Sequence, residues 1–286
     1  MARILVTGGA GLLGSTLLPT LRASGHDVRM CARRDGDVRA DLTLADDAVR
    51  AVDATRPDVI VNLAANTNVD ACERDPQAAY LANVRVVENL VLAMKAQATP
   101  MHLIQVSTDQ VYDGPGPHRE DAITIRNSYG FSKYAGELAA ATVPSTVLRT
   151  NMFGRSRCAD RTSISDWLNQ ALRRGDAVTV FDDVRFSPLR LETLSAMIER
   201  AAVRQHTGVF NVGSSDGLSK ADFAYALADT LALPTTTMKR GRSDAAPLAA
   251  RRPMDMCMDS TRFEQTFEIT LPSLRDEIAH LKADYA

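Results

Sequence analysis

The chain has 286 residues, of which 45% are apolar and 24% charged, and its net charge is −2. Such a length accommodates one large α/β domain or a nucleotide-binding domain with a smaller companion, and the composition is that of an ordinary globular protein. A charge so close to zero excludes a global field that would draw the chain to nucleic acid or to an anionic membrane.

In chain order, Ile4-Leu5-Val6 is a first apolar run, followed by Thr7-Gly8-Gly9-Ala10-Gly11-Leu12-Leu13-Gly14 and a helical stretch from Gly11 to Ala23. The run Val28-Arg29-Met30-Cys31 predicts a second strand, Asp46 to Thr55 a helix, Val59-Ile60-Val61 a strand, and Gln77 to Ala98 a long helix. Leu103-Ile104-Gln105-Val106 and Thr146-Val147-Leu148 predict two more strands on either side of a helix from Tyr129 to Ala141. Continuous apolar runs of this kind belong to strands buried on both faces of a parallel sheet. Their alternation with helices predicts an α/β, doubly wound, Rossmann-type sheet.

After Arg149 the pattern loosens: helices over Ser163 to Arg174, Leu191 to Val203, Ala221 to Ala232 and Leu274 to Lys282, with strands at Ala177 to Phe181 and Val209 to Val212. These segments predict a smaller α/β substrate domain. The expected division is 1–153 plus about 185–213 for the nucleotide domain, and 154–184 plus 214–286 for the substrate domain. The alternating Met254, Met256 and Met258 fit an extended segment packed on a core, and Trp167, in its helix, fits a packing role.

Four cysteines without ligand-like spacing and five scattered histidines point to free thiols and no metal site. No segment approaches the ~18 uncharged apolar residues of a membrane span, and none has the charge and length pattern of a signal peptide. A cytoplasmic location is therefore expected.

Gly8, Gly11 and Gly14 stand between the first strand and the first helix. Glycines there allow the tight turn and close backbone approach, and the helix N-terminus faces a pyrophosphate. At the end of the second strand, where a carboxylate would hold the adenosine ribose of NAD, the chain has Arg33-Arg34. Two guanidiniums suit a 2′-phosphate, so NADP(H) is the expected cofactor, with NAD(H) as the second choice. A solvated loop of charges is the simpler alternative for this pair.

Tyr129 and Lys133 are four apart, on one face of a helix. A phenol ordinarily titrates near ~10, too high to exchange protons at neutral pH without a neighbouring cation. Ser107-Thr108-Asp109 closes the preceding strand, at the sheet end where such folds hold ligands. Thr108 is placed to donate to a carbonyl and to orient Tyr129. An exposed Tyr–Lys pair on a helix is the alternative for the pair alone.

These segments, together with Arg56 to Asn62, Ala64-Ala65-Asn66-Thr67-Asn68-Val69-Asp70 with Glu73, Ser107 to Gly114, Gly136-Glu137, Arg251-Arg252-Pro253 and Phe263-Glu264-Gln265, resemble the extended short-chain dehydrogenase/reductase family along nearly the whole chain. Within it the chain most resembles the dTDP-4-dehydrorhamnose reductases. The resemblance implies Thr108, Tyr129 and Lys133 as catalytic residues, with Lys133 also on the nicotinamide ribose. It implies cofactor contacts at Gly8, Gly11, Leu12, Leu13, Gly14, Arg33, Arg34, Asp41, Leu42, Ala64 and Ala65, and substrate contacts at Thr67, Val69, Thr108, Asn151 and Arg252. The implied reaction is reduction of a 4-keto group on a deoxysugar carried by a nucleoside diphosphate.

Two departures bear on that implication. Gln110 stands where the family's dehydratases carry a glutamate, and an amide cannot act as that base. Asp109 is then expected to fix local backbone. The epimerases of the family use an extra cysteine and histidine, and Cys72, Cys158 and His118 have no such context. Asn151-Met152 follows Arg149-Thr150 where the rhamnose reductases carry Ser-Trp, which leaves the hexose open. Arg251 or Arg252 suits a diphosphate, Lys239, Arg240 and Arg242 suit the surface, and Asp70 and Glu73 suit helix-start capping or substrate contact. A dinucleotide-binding regulatory subunit and a reductase of a non-nucleotide ketone are the competing readings. Either is compatible with a homodimer.

Overall fold

The computed structural model describes residues 1–285. β1 (Arg3–Thr7) leads into α1 (Gly14–Ala23), β2 (Asp27–Ala32), the two-residue β3 (Val38–Arg39) and α2 (Ala45–Thr55). β4 (Val59–Asn62) is followed by α3 (Val69–Arg74), α4 (Pro76–Tyr80), a π-helical turn over Leu81–Arg85 and α5 (Val86–Lys95). β5 (His102–Thr108) passes through a 3-10 turn, Asp109–Val111, before α6 (Ser128–Ala140) and β6 (Ser145–Thr150). Then come β7 (Met152–Phe153), α7 (Ile164–Arg174), β8 (Val178–Phe181), β9 (Arg185–Phe186), β10 (Leu189–Arg190), α8 (Leu191–Arg204) and β11 (Gly208–Val212). β12 (Leu218–Ser219), α9 (Lys220–Thr230), β13 (Met238–Gly241), α10 (Thr261–Phe267) and α11 (Leu274–Asp284) complete the chain.

Seven strands form one parallel sheet in the order β11-β6-β5-β4-β1-β2-β3. Strand order reverses between β1 and β4, so the crevice at their carboxyl ends is the natural ligand position. Successive side chains point to opposite faces. Ile4, Val6, Val59, Val61, Ile104 and Val106 meet α1 and α8 on one face, while Leu5, Ile60 and Leu103 meet α2 and α5 on the other. That two-sided burial is the physical reason for the continuous apolar runs.

A second core gathers α7, α9 and α11 around Val178, Val180, Phe186 and Phe223. Its strands lie in three two-stranded sheets, β7-β10 and β8-β13 parallel and β9-β12 antiparallel. Phe263, Phe267 and Leu271, from α10 and the turn after it, pack into the large sheet's core and not into this one.

Several boundaries differ from the sequence expectation for local reasons. α1 starts at Gly14 because Gly11 is already bonded back in a turn, its N–H donating to Gly8 at 3.0 Å. The single helix expected over Gln77 to Ala98 is α4, the π turn and α5, ending at Lys95. Segment 254–258 is extended but forms no strand; it makes bridges at Asp255 with Arg185 and at Met258 with His118. Trp167 is 45% exposed on α7, so its expected packing role is not met.

Candidate active site

The glycine loop is shaped by close backbone approaches. Gly8 has φ +67°, and a Cβ there would lie 2.7 Å from the Ala64 nitrogen. A Cβ on Gly14 would sit 2.3 Å from the Gly9 carbonyl oxygen, whereas one on Gly11 would meet only the Gly8 oxygen, at 3.2 Å. The first turn of α1 carries no acidic residue and no capping side chain, so its amides and dipole face the loop uncompensated. These features fit the pyrophosphate of a dinucleotide. Leu13 is buried beneath the loop and Leu12 packs beside it.

At the end of β2, Arg33 and Arg34 are both exposed. Asp37, nearby, accepts from the Met30 N–H at 2.8 Å. Asp41 accepts from the Thr43 hydroxyl at 2.7 Å. That bond, aided by the charge of Arg33, holds its carboxyl below the usual carboxylate range. Leu42 is buried, and its carbonyl accepts from Asn89 at 2.9 Å. Across the switch point, Asn62 accepts from the Ala64 N–H at 3.2 Å and donates to Gln105 at 2.7 Å, which fixes the start of the Ala64-Ala65 loop.

α6 begins where Asn127 caps it, its side chain accepting from the Gly130 N–H at 2.8 Å. A Cβ at Gly130 would fall 2.4 Å from the Gln110 oxygen, so glycine lets the helix press against the turn after β5. The contact brings Tyr129 beside Thr108. Tyr129 and Lys133 are 7% and 4% exposed. Burial pushes the phenol well above its ordinary value, and the neighbouring Thr108 hydroxyl opposes that rise. Lys133 donates to the Val106 carbonyl at 2.7 Å, and burial brings its ammonium down to about 8 despite Glu137 nearby.

Asp109, expected to fix local backbone, is instead buried with its carboxylate accepting from Asn151 at 2.7 Å and from Thr108 at 3.3 Å. Burial pushes its pKa up to about 6. Tyr129, Thr108, Asp109 and Asn151 are thus contiguous along the end of β5. Val69 packs against Tyr129, Cys72 and Ala79, and Thr67, two residues earlier, is exposed.

Arg252 is half-buried and donates to Asp70 at 2.9 Å and to the Ala250 carbonyl at 2.8 Å. Asp70 therefore anchors the C-terminal segment instead of capping α3, whose cap is Asn68. Glu73 likewise accepts from the Ser128 N–H at 2.8 Å, at the start of α6. Arg251 is exposed, and its carbonyl accepts from Asn127 at 2.9 Å. Lys239, Arg240 and Arg242 lie on the surface, Cys72 and His118 are buried, and Cys158 lies in a loop.

Three features of the site were not anticipated from the sequence. Asn83, in the π turn, donates to Ser132 at 2.9 Å and to the Asn66 carbonyl at 3.1 Å, clamping the 64–68 loop to α6. A Cβ at Gly136 would lie 2.4 Å from the Asn83 oxygen, so this clamp depends on a glycine. Glu137 accepts from Arg149 of β6 at 2.6 Å, with both side chains buried. The third is Lys220, at the start of α9, whose ammonium lies 4.6 Å from the centre of the Phe186 ring.

Among the described residues no group of three or more His, Cys, Asp or Glu could hold a metal ion, and no helix is long and apolar enough to cross a membrane.

A sequence model of the family described as RmlD substrate binding domain matches residues 2–286. The chain is 32% identical to a dTDP-4-dehydrorhamnose reductase of Burkholderia thailandensis, over 96% of the chain and 95% of the relative. It is 28% identical to a probable low-salt glycan biosynthesis reductase, Agl14, of Haloferax volcanii, over 98% of the chain and 97% of the relative. The crystal structure of a Bacillus anthracis dTDP-4-dehydrorhamnose reductase in complex with NADP shares the fold, with a TM-score of 0.89 at 23% identity over 98% of each chain.

Proposed function

The chain belongs to the RmlD substrate binding domain family, and on that premise we propose that it is an NADPH-dependent reductase of a 4-keto-deoxysugar attached to a nucleoside diphosphate. The observation that carries this reading is the buried Tyr129–Lys133 pair with Thr108 beside the phenol, at the carboxyl end of β5. With NADPH bound, its nicotinamide supplies the hydride that reaches the carbonyl carbon. Thr108 and Tyr129 hold the carbonyl oxygen, and Tyr129 gives it the phenolic proton as the alkoxide forms. Lys133, charged below its pKa of about 8, offsets the negative charge left on the phenol. Tyr129 and Lys133 are buried, so solvent screens their interaction less than it would at the surface.

Gly8, Gly11 and Gly14 with Leu12, Leu13, Ala64 and Ala65 would line the dinucleotide, with Asp41 and Leu42 toward its adenine end. Arg33 and Arg34 would take the 2′-phosphate, which is why NADPH is favoured over NADH. Thr67, Val69, Asn151 and Arg252 would line the substrate side, with Arg252 directed to phosphate. In this scheme residues 1–153 with about 185–213 carry the cofactor and 154–184 with 214–286 the substrate. The packing of Phe263, Phe267 and Leu271 on the large sheet gives the segment around α10 to the first unit.

Replacing Tyr129 by Phe should reduce NADPH-dependent reduction by roughly 100-fold or more, the usual worth of a positioned acid, while calorimetric NADP binding stays near wild type. Full turnover in that variant rejects the mechanism. Tight NADP binding without turnover of any nucleotide sugar by the wild type would favour a regulatory subunit. NADH turned over better than NADPH would remove the role given to Arg33 and Arg34.

The four cysteines, all free, suit a reducing cytoplasm. Leu81 of the π turn, Leu92 of α5, and Phe131 and Leu138 of α6 are exposed, apolar surface suited to a homodimer. A monomeric mass by light scattering would reject that assembly.

A further inference from the structure

The short helix α3 is fastened to three other parts of the molecule. Val69, its first residue, packs with Cys72 against Tyr129. Glu73 accepts from the Ser128 N–H at 2.8 Å, in the first turn of α6. Asp70 lies three residues before Glu73, on the same side of the helix and about 4.5 Å along its axis. It accepts twice at a single oxygen: Oδ1 takes the Ala250 N–H at 3.0 Å and Nη1 of Arg252 at 2.9 Å. The bond to Arg252 brings the Asp70 carboxyl down to about 2, so the pair is charged at neutral pH.

Nη1 of Arg252 also donates to the Ala250 carbonyl, at 2.8 Å, so both of its protons are in use. Nε and Nη2 donate to no protein atom among the described residues, and neither is a buried orphan, so both reach solvent. Theirs is the guanidinium edge that meets two phosphate oxygens at once. Tethering the segment does not require Asp70. The Arg251 carbonyl accepts from Asn127 at 2.9 Å, and the Met254 N–H donates to Asp113 at 2.7 Å. As a stabilising ion pair the contact is weak, since its side chains are 21% and 25% exposed. What Asp70 alone does is fix the guanidinium by one nitrogen and leave the opposite edge free, on the residue next to the Val69–Tyr129 contact.

We propose that Asp70 is a positioning residue: it holds Arg252 by Nη1 so that the Nε–Nη2 edge is already set for the diphosphate of the substrate. The assignment rests on the nucleotide-sugar reading above, in which Arg252 meets that diphosphate. Because α3 is also fastened to α6 through Glu73 and Val69, the phosphate anchor keeps a fixed distance from Tyr129. An acid beside an anion site otherwise repels the ligand. Its presence is accounted for by the ordering of a long side chain before binding, which would otherwise be lost from the affinity.

The test is calorimetric titration of the NADP-saturated protein with dTDP and with UDP. It compares the wild type with Asp70→Asn, Asp70→Ala, Arg252→Met and the double variant Asp70→Ala/Arg252→Met. Asparagine keeps an oxygen in the Oδ1 position for both N–H groups and removes the charge, whereas alanine removes both. Two neutral variants therefore separate orientation from repulsion. Asp70→Ala should bind the preferred diphosphate about 2- to 10-fold more weakly than Asp70→Asn, the cost of immobilising one long side chain on binding. In the Arg252→Met background, removing Asp70 should cost nothing further. Equal affinity in Asp70→Ala and Asp70→Asn overturns the proposal, and so does a loss that persists in the double variant relative to Arg252→Met. Undiminished affinity in Arg252→Met takes the phosphate away from Arg252, and the proposal falls with it. A wild type that binds neither nucleotide rejects the nucleotide-sugar reading itself, a result separate from every comparison among the variants.

Discussion

Replacing Lys133 by Met should inactivate the protein and stabilise its fold. The ammonium is 4% exposed, and burial lowers its pKa from 10.5 to about 8. That difference corresponds to roughly 3 kcal/mol of stability lost at pH 7 by keeping the group charged in the folded state. Methionine has similar length and no charge, so it recovers most of this amount while filling the same space. Against the gain stands the bond to the Val106 carbonyl, at 2.7 Å, but that oxygen also accepts from Gln105 at 3.3 Å and is not orphaned. A loss of about 1 kcal/mol there leaves a net gain of about 1–2 kcal/mol, or a melting temperature higher by roughly 2–6 °C. A lysine with a lowered folded-state pKa costs stability in full below pH about 8, and the cost vanishes as the pH rises to 10.5. The advantage of Lys133→Met in thermal denaturation should therefore be largest at neutral pH and shrink across that window. Activity should fall by about 100-fold or more, since the buried phenolate loses its cation. A variant that melts below the wild type at pH 7, or whose advantage does not depend on pH, would refute this account of Lys133.

Glu137→Gln acts in the opposite sense: removing one partner of its buried pair with Arg149 should cost about 3–5 kcal/mol, read as a lower denaturant midpoint. A loss below about 1 kcal/mol would show that Arg149 is satisfied by Tyr112 and the Glu120 carbonyl alone, at 2.7 and 2.6 Å. Because burial raises the Asp109 pKa to about 6, the group is protonated below that pH and ionised above it. The wild-type kcat/KM should fall as the pH drops through about 6, and Asp109→Asn should lack that limb; the same limb in both would assign it elsewhere.

The large sheet is legible because its strands are buried on both faces, which leaves runs such as Val59-Ile60-Val61 with no alternation to misread. The Tyr129–Lys133 spacing and the glycine loop are legible because helix period and turn geometry act within a few residues. What the sequence does not reveal depends on contacts between distant segments. Asp70 meets Arg252 across 182 positions, so its local context suggests a helix cap. Gly130 and Gly136 look like helix-weakening residues until the Gln110 and Asn83 carbonyls are seen 2.4 Å from where a Cβ would be. The π turn over Leu81–Arg85 keeps a helical apolar pattern, which hides the inward turn of Asn83. Lys220 resembles any lysine in the first turn of a helix, and only the fold sets its ammonium over the Phe186 ring.

The divergent outcomes expected at Lys133 and Glu137 follow from their sharing one stripe of α6. Tyr129, Gly130, Ser132, Lys133, Gly136, Glu137 and Ala140 are its buried residues, at the three- and four-residue spacing of a single helix face. The helix is pinned at three places along that face: to the turn after β5 through Gly130, to the π turn through Gly136, and to β6 through Glu137 and Arg149. Between the pins, Lys133 is kept charged where burial disfavours charge. Relaxing Lys133 alone, by letting the helix shift toward solvent, would open both backbone contacts and separate a buried ion pair, which costs more than the shift returns. The anchoring anion one turn further along thus holds the ammonium beside the phenol, and for that reason the helix loses stability at Glu137 and gains it at Lys133.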